Sequence, residues 1–253
     1  MNAPFPAVTK WRRRAILSAI LNILFICFFV RLAKHVPLMR ITCESHDLAE
    51  LNAIIEDGTF LQAVPLSSDK RFRSGWIFPI HWAAAAANPD AVRLFLEAHV
   101  DPNTLSSEGQ PPVFWLLGLS EQGKEESVRE CLRLLISHGA DINRREFKDY
   151  PGYSVLHFSA RFLSPKDVAL LCEFGADVNS RDSHGNSPLH LAVAEGTGAA
   201  EQRDWESTLK ELVRRGADIE MKNSDGDMPI DVAGKTKRGF PISNEITALL
   251  TPR

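Results

Sequence analysis

Three histidines, His81, His157 and His190, recur inside similar short segments: PIHWA, VLHFS and PLHLA. A set of imidazoles suggests metal ligation. Metal sites, however, draw their ligands from characteristic short spacings, and these three fall in separate segments. Their recurrence argues for one structural task performed several times. Asp141, Asp177 and Asp218 behave alike, closing the segments HGADIN, FGADVN and RGADIE. Carboxylates at equivalent loop positions serve turn hydrogen bonding rather than a general acid–base pair. Asp225-Gly226-Asp227 resembles the start of a calcium loop, but the twelve-residue loop with its terminal Glu is missing. The phosphate-cradling G-x-x-x-x-G-K-[ST] pattern is absent, as are G-x-S-x-G and H-E-x-x-H. No catalytic residue, cofactor, metal or small-molecule substrate is expected, and the chain reads as non-enzymatic.

The cysteines point the same way. Cys27 lies in an apolar run, which leaves Cys43, Cys131 and Cys172, with no C-x-x-C pair. A disulfide framework is excluded. Cys172 sits in an apolar helical stripe and reads as a buried thiol packing like a small hydrophobe.

The elements that position these residues repeat along the chain. Taking the first residue of PIHWAA (79–84), PVFWLL (112–117), VLHFSA (155–160), PLHLAV (188–193) and PIDVAG (229–234) as origins, the distance to the next loop Asp is 22, 29, 22 and 30 residues. From each Asp to the next origin is 11, 14, 11 and 11 residues. The unit is thus 33 residues, with inserts of seven, three and eight. Gly109, Gly152, Gly185 and Gly226 stand three before an origin, where a hairpin turn needs positive φ. The origin Pro suits the first turn of a helix. A second helix carries apolar stripes such as Val92, Phe95 and Leu96, and ends at Gly139, Gly175 or Gly216 as a left-handed cap. His99 and Val100 replace that cap in the first unit.

This pattern resembles the ankyrin repeat over about residues 70–240, most plainly in DSHGNSPLHLA (182–192) and LKELVRRGADI (209–219). The resemblance implies an all-α ankyrin solenoid of about five helix-turn-helix units, with the histidine tying neighbouring loops together by hydrogen bonds. Residues 45–58 form a partial N-terminal cap with Leu48, Leu51, Ile54 and Ile55 on one face, and 243–250 form the second helix of a shortened last unit. The expected organisation is a basic cytoplasmic start (1–14), a transmembrane signal anchor (15–33), a linker and capping helices (34–66) and the ankyrin repeat domain (67–253).

The membrane span rests on charge and hydropathy. Lys10, Arg12, Arg13 and Arg14 precede the run Ala15–Val30, and residues 1–40 hold seven Lys or Arg and no acid. Sixteen helical residues give roughly 24 Å, short of the ~30 Å hydrocarbon core, and Leu32 and Ala33 extend the span if Arg31 snorkels. The denser N-terminal cations place the start in the cytoplasm. A bacterial inner-membrane protein with a periplasmic domain is expected. A cleaved signal giving a soluble periplasmic protein is the alternative, although no A-x-A-like site follows the run. From position 41 on the chain is acidic, which speaks against nucleic acid.

Two units depart from the pattern. The second has Phe114-Trp115-Leu116-Leu117 in place of H-x-A-A, so larger side chains change curvature or help form a hydrophobic site. The third loop is lengthened to RREFKDYPGY (144–153), a composition of Arg and Tyr resembling binding hot spots. The inserts around 120–127 and 194–203 are expected as solvated loops. The resemblance implies a protein-binding module whose concave finger surface grips a partner protein of unknown identity. The candidate contacts are Tyr150, Tyr153, Arg161 and Phe162, with Arg144, Arg145, His184 and Asn186. Tyr153 and Arg161 are expected to be removable without unfolding the chain. Alternative roles are an immunity or inhibitor protein neutralising a toxic enzyme, and an envelope scaffold or stress-protection protein.

Overall fold

A computed structural model describes residues 48–56, 64–65, 76–196, 202–235 and 244–251. The expected span at 15–33, with Cys27 and Cys43, lies outside the described residues. Among the described residues no helix is long and apolar enough to cross a membrane.

Helix α1 (Leu48–Glu56) precedes a two-residue antiparallel pair, β1 (Val64–Pro65) with β2 (Trp76–Ile77), in which Val64 faces Ile77. The helical pairs then follow: α2 (Pro79–Ala86) with α3 (Pro89–Glu97), a 3-10 turn (Pro112–Leu116) with α4 (Glu125–Ser137), α5 (Val155–Arg161) with α6 (Pro165–Glu173), α7 (Pro188–Gly196) with α8 (Gln202–Arg214), and α9 (Pro229–Lys235) with α10 (Asn244–Leu250). First helices pack on first helices and second on second between units one and two and from unit three onwards, while Ser120–Lys124 of unit two packs on α6. The buried side chains therefore form one continuous core running from Leu51 of α1 to Leu250 of α10. No single pair buries both of its helices, so stacking supplies the core.

Local sequence explains each element. Pro opens α2, α3, α6, α7 and α9, where its missing N–H has no intrahelical role. Asn88 caps α3 by accepting the Ala91 N–H at 3.1 Å. The apolar stripe of α3 points inward through Ala91, Val92, Phe95 and Leu96. Leu51 of α1 is buried and packs the cap onto the stack, as do Ile246 and Leu250 at the other end. The side chains of Leu48 and Ile54 lie outside the described set. Gly139, Gly175 and Gly216 take φ of +93°, +91° and +92° after their helices, and His99 takes +61° at the corresponding place in the first unit.

Two expectations are corrected. The second unit does not open with an α-helix: Phe114 and Trp115 lie in a five-residue 3-10 turn. The inserts are not simply loops. Helices α4 and α8 have 13 residues where α3 and α6 have nine, so about half of each insert adds a turn at the start of a second helix. In unit two the remainder forms a π-helical turn, Ser120–Lys124, whose Ser120 is buried and whose Lys124 donates to the Ala86 carbonyl at 3.1 Å. Residues 197–201 of the other insert lie outside the described residues.

Candidate protein-interaction site

The three histidines act as ties between units. In each, Nδ1 accepts the N–H of the residue before its helix: Phe78 for His81 (3.1 Å), Ser154 for His157 (3.0 Å) and Ser187 for His190 (3.1 Å). That fixes the proton on Nε2, which donates one unit further on, to the carbonyls of Gln110 (3.1 Å), Asn186 (3.2 Å) and Asp227 (3.0 Å). All three rings are buried. Burial lowers the pKa of His81 to about 4, and it lowers those of His157 and His190 as well. A neutral imidazole locked at both nitrogens is a brace. The loop aspartates are braces too: Asp101, Asp141, Asp177 and Asp218 each accept, through Oδ1, the N–H two residues on.

Phe114 takes the histidine's place in unit two, and the lengthened third finger answers it. Phe147 and Phe158 lie 5.2 and 5.0 Å from the Phe114 ring centroid and 4.6 Å from each other. Tyr150 and Tyr153 each approach Phe158, at 5.0 and 5.2 Å, and Phe162 follows at 6.0 Å. Edge-on and tilted rings at these distances attract through their quadrupoles beyond simple burial. The three-residue insert thus carries aromatic side chains to unit two, which lacks a histidine tie.

The cluster has a buried half and an exposed half. Phe147, Phe158 and Tyr153 are buried, the last only 8% exposed, whereas Tyr150 is 39% and Phe162 63% exposed. The chain has only two tyrosines, and both are here. Arg161 connects the halves. Its guanidinium stands 5.7 Å from the Tyr150 centroid, donates to the Tyr153 hydroxyl oxygen at 3.4 Å and pairs with Glu195 of α7 at 3.1 Å. Burial raises the Tyr153 pKa, keeping the phenol neutral. Tyr150, Tyr153, Arg161 and Phe162 therefore converge on one patch.

The other predicted residues lie elsewhere or serve the fold. Arg144 donates to Glu146 at 2.8 Å and, backwards, to the Asn103 carbonyl at 3.0 Å. Arg145 reaches forwards to the Arg181 carbonyl at 3.0 Å. Asn186 donates to Asp182 (3.2 Å) and accepts from Asn223 (2.9 Å), a tie between fingers. His184 is exposed on the fourth finger, with its carbonyl accepting the Ser224 N–H. Tyr153 is too buried for truncation to leave the fold untouched.

Sequence reasoning missed Phe158 and Glu195, and it missed a second tie. Asn103, Asn143 and Asn179 each donate through Nδ2 to the Gly139, Gly175 and Gly216 carbonyls, at 2.8–3.1 Å, and accept the N–H of the following unit's Asp at 2.7–2.8 Å. The terminal Asn of HVDPN, HGADIN and FGADVN was the available signal. Among the described residues no group of His, Cys, Asp or Glu could hold a metal ion.

Comparison with known proteins agrees with this geometry. The family described as ankyrin repeats (three copies) matches residues 80–182 and 123–223. The B-cell lymphoma 3 protein homolog of Mus musculus is 29% identical over 185 residues, covering 61% of this chain and 39% of that protein. The Neurogenic locus Notch protein of Drosophila melanogaster is 29% identical over 128 residues, 50% of this chain and 4% of that one. The ADP-ribosylation factor GTPase-activating protein AGD2 of Arabidopsis thaliana is 39% identical over 75 residues, 30% of this chain and 9% of that one. The chain thus spans well under half the length of these relatives. They are eukaryotic and lend no support to the expected bacterial source. The matched residues, the recurring ties and the stacked helical pairs agree: this chain belongs to the ankyrin repeat family.

Proposed function

We propose that the protein is a non-catalytic, membrane-tethered interaction module that captures a partner polypeptide on the patch formed by Tyr150, Arg161 and Phe162. The observation that carries this reading is Phe162. A phenylalanine 63% exposed, held against the buried Phe158, is a large apolar surface with rigid backing. Arg161 beside it adds a guanidinium already oriented by Glu195 and Tyr153. Aromatic and Arg anchors of this kind commonly contribute 2 kcal/mol or more, so about that much per anchor is expected here. Tyr153 supports the patch from below. Tethering is supported by the basic start and the apolar run at 15–33.

The test is capture from detergent-solubilised membranes by the full chain, with the bound proteins identified by mass spectrometry. Phe162→Ser and Arg161→Ala should each strip the bound partner while leaving the unfolding midpoint within a degree or two. Undiminished capture by both variants would reject the patch. Deletion of residues 15–33 should release the protein from carbonate-washed membranes, and retention would reject the tether.

A further inference from the structure

A second site lies away from the aromatic patch. Between the bases of the third and fourth fingers is a groove of about 330 Å³ lined by Asn143, Arg145, Asp177, Asn179, Ser180 and Arg181. Most of its polar groups are committed. Asn143 and Asn179 spend their amides on the ties described above, and Asp177 spends Oδ1 on the Asn179 N–H. The two arginines and the serine are different.

Every other arginine whose side chain is described has a carboxylate within 4 Å: Arg93, Arg129, Arg133, Arg144, Arg161, Arg214 and Arg215 all pair with a glutamate. Among the described residues Arg145 and Arg181 have none, and they line the same groove. Each uses one Nη1 on a backbone carbonyl one unit ahead, Arg145 on Arg181 (3.0 Å) and Arg181 on Lys222 (2.9 Å). That bond anchors the guanidinium and, among the described residues, leaves its Nη2 and Nε donors uncommitted. Ser180, only 7% exposed, has a buried hydroxyl without a hydrogen-bond partner. A buried hydroxyl without a partner costs free energy that a ligand can return.

We infer that this groove is an oxyanion site, taking a carboxylate or phosphoryl group presented by a bound polypeptide. Each guanidinium, exposed and held by one bond to a carbonyl, keeps paired N–H donors that match such an anion. Asp177 in the same groove sets the limit: a singly or doubly charged group is accepted, not an extended polyanion.

The experiment is a titration of the purified full chain with inorganic phosphate and, separately, acetate, followed through the arginine Nε–Hε NMR resonances. Saturable phosphate shifts confined to Arg145 and Arg181 are expected. Arg145→Gln and Arg181→Gln should each weaken phosphate about tenfold. Arg144→Gln, whose arginine already has Glu146, should leave it unchanged. Ser180→Ala keeps both bonded arginines and should weaken it about threefold, so the site stays testable if an arginine variant fails to fold. Acetate saturating the same resonances identifies a carboxylate source, and phosphate alone a phosphoryl source. Non-saturating shifts, or equal shifts across the other arginines, would overturn the site without touching the aromatic patch.

Discussion

Phe114 stands edge-on to Phe158 with ring centroids 5.0 Å apart, where the neighbouring units have a histidine bonded to a carbonyl of the next loop. The stack is therefore joined at this interface by rings instead of an imidazole. Phe158 touches Phe114, Phe147, Tyr150, Tyr153 and Phe162, so its loss opens both the unit interface and the patch. Phe158→Ala should cost about 3–5 kcal/mol in urea unfolding. Phe162→Ala, on the exposed side, should change stability by less than about 0.5 kcal/mol. Similar costs for the two would contradict the division into buried and exposed halves.

Two glycines separate conformational strain from collision. Gly109 and Gly139 both have positive φ, +74° and +93°. A Cβ on Gly139 would meet nothing within 4 Å, whereas one on Gly109 would lie 2.1 Å from the Glu146 carbonyl oxygen in the next finger. Alanine at either carries a backbone penalty of about 1–3 kcal/mol. Only Gly109→Ala must also push two fingers apart. Its unfolding midpoint should fall clearly further, and its arginine resonances at 144 and 145 should move.

The histidine ties make stability depend on pH in a defined direction. The folded-state pKa of His81 is lowered from 6.5 to about 4, so between those values the unfolded chain binds the extra proton. The contribution is fully present above pH 6.5 and is lost as pH falls towards 4. Going from pH 7.5 to pH 5 should remove about 2 kcal/mol through this one residue. His157 and His190 act in the same sense. His81→Gln should be less stable at neutral pH and should show a shallower loss on acidification. An unchanged slope would show that His81 does not titrate on unfolding.

The two described thiols differ: Cys131 is buried, whereas Cys172, expected to be buried, is partly exposed. Burial pushes Cys131 up to about 12 and Cys172 up to about 11, and neither is in a disulfide. Thiolate is the reactive form. Iodoacetamide at pH 8 should therefore label Cys131 only on the timescale of unfolding and Cys172 sooner, slowed by its small thiolate fraction, as followed by peptide mass spectrometry. Rapid native labelling of Cys131 would mean that the second unit opens locally.

Much of this architecture is legible in the residues because its constraints are local and repeated. A positive-φ glycine, a helix-opening proline and a histidine one turn in are each dictated within a few residues, and recurrence makes them visible. The asymmetric parts were harder. Pro112 announces a helix start in unit two, but nothing in the four residues after it distinguishes a 3-10 turn from an α-helix. The finger composition pointed to Tyr150 and Tyr153, yet which of them is buried depends on Phe147 and Phe158 arriving from two directions. Glu195 could not be connected to Arg161, because their pairing exists only once two units are stacked. The asparagine ties were hidden because their partners are backbone carbonyls, which carry no residue identity.

That asparagine series stops at Glu220, which occupies the corresponding position after Asp218. A carboxylate has no N–H to hand forward, so the pair α9 and α10 joins the array without this clasp. That last joint therefore leans on apolar burial, through Ile246 and Leu250, where the earlier joints add a side-chain tether.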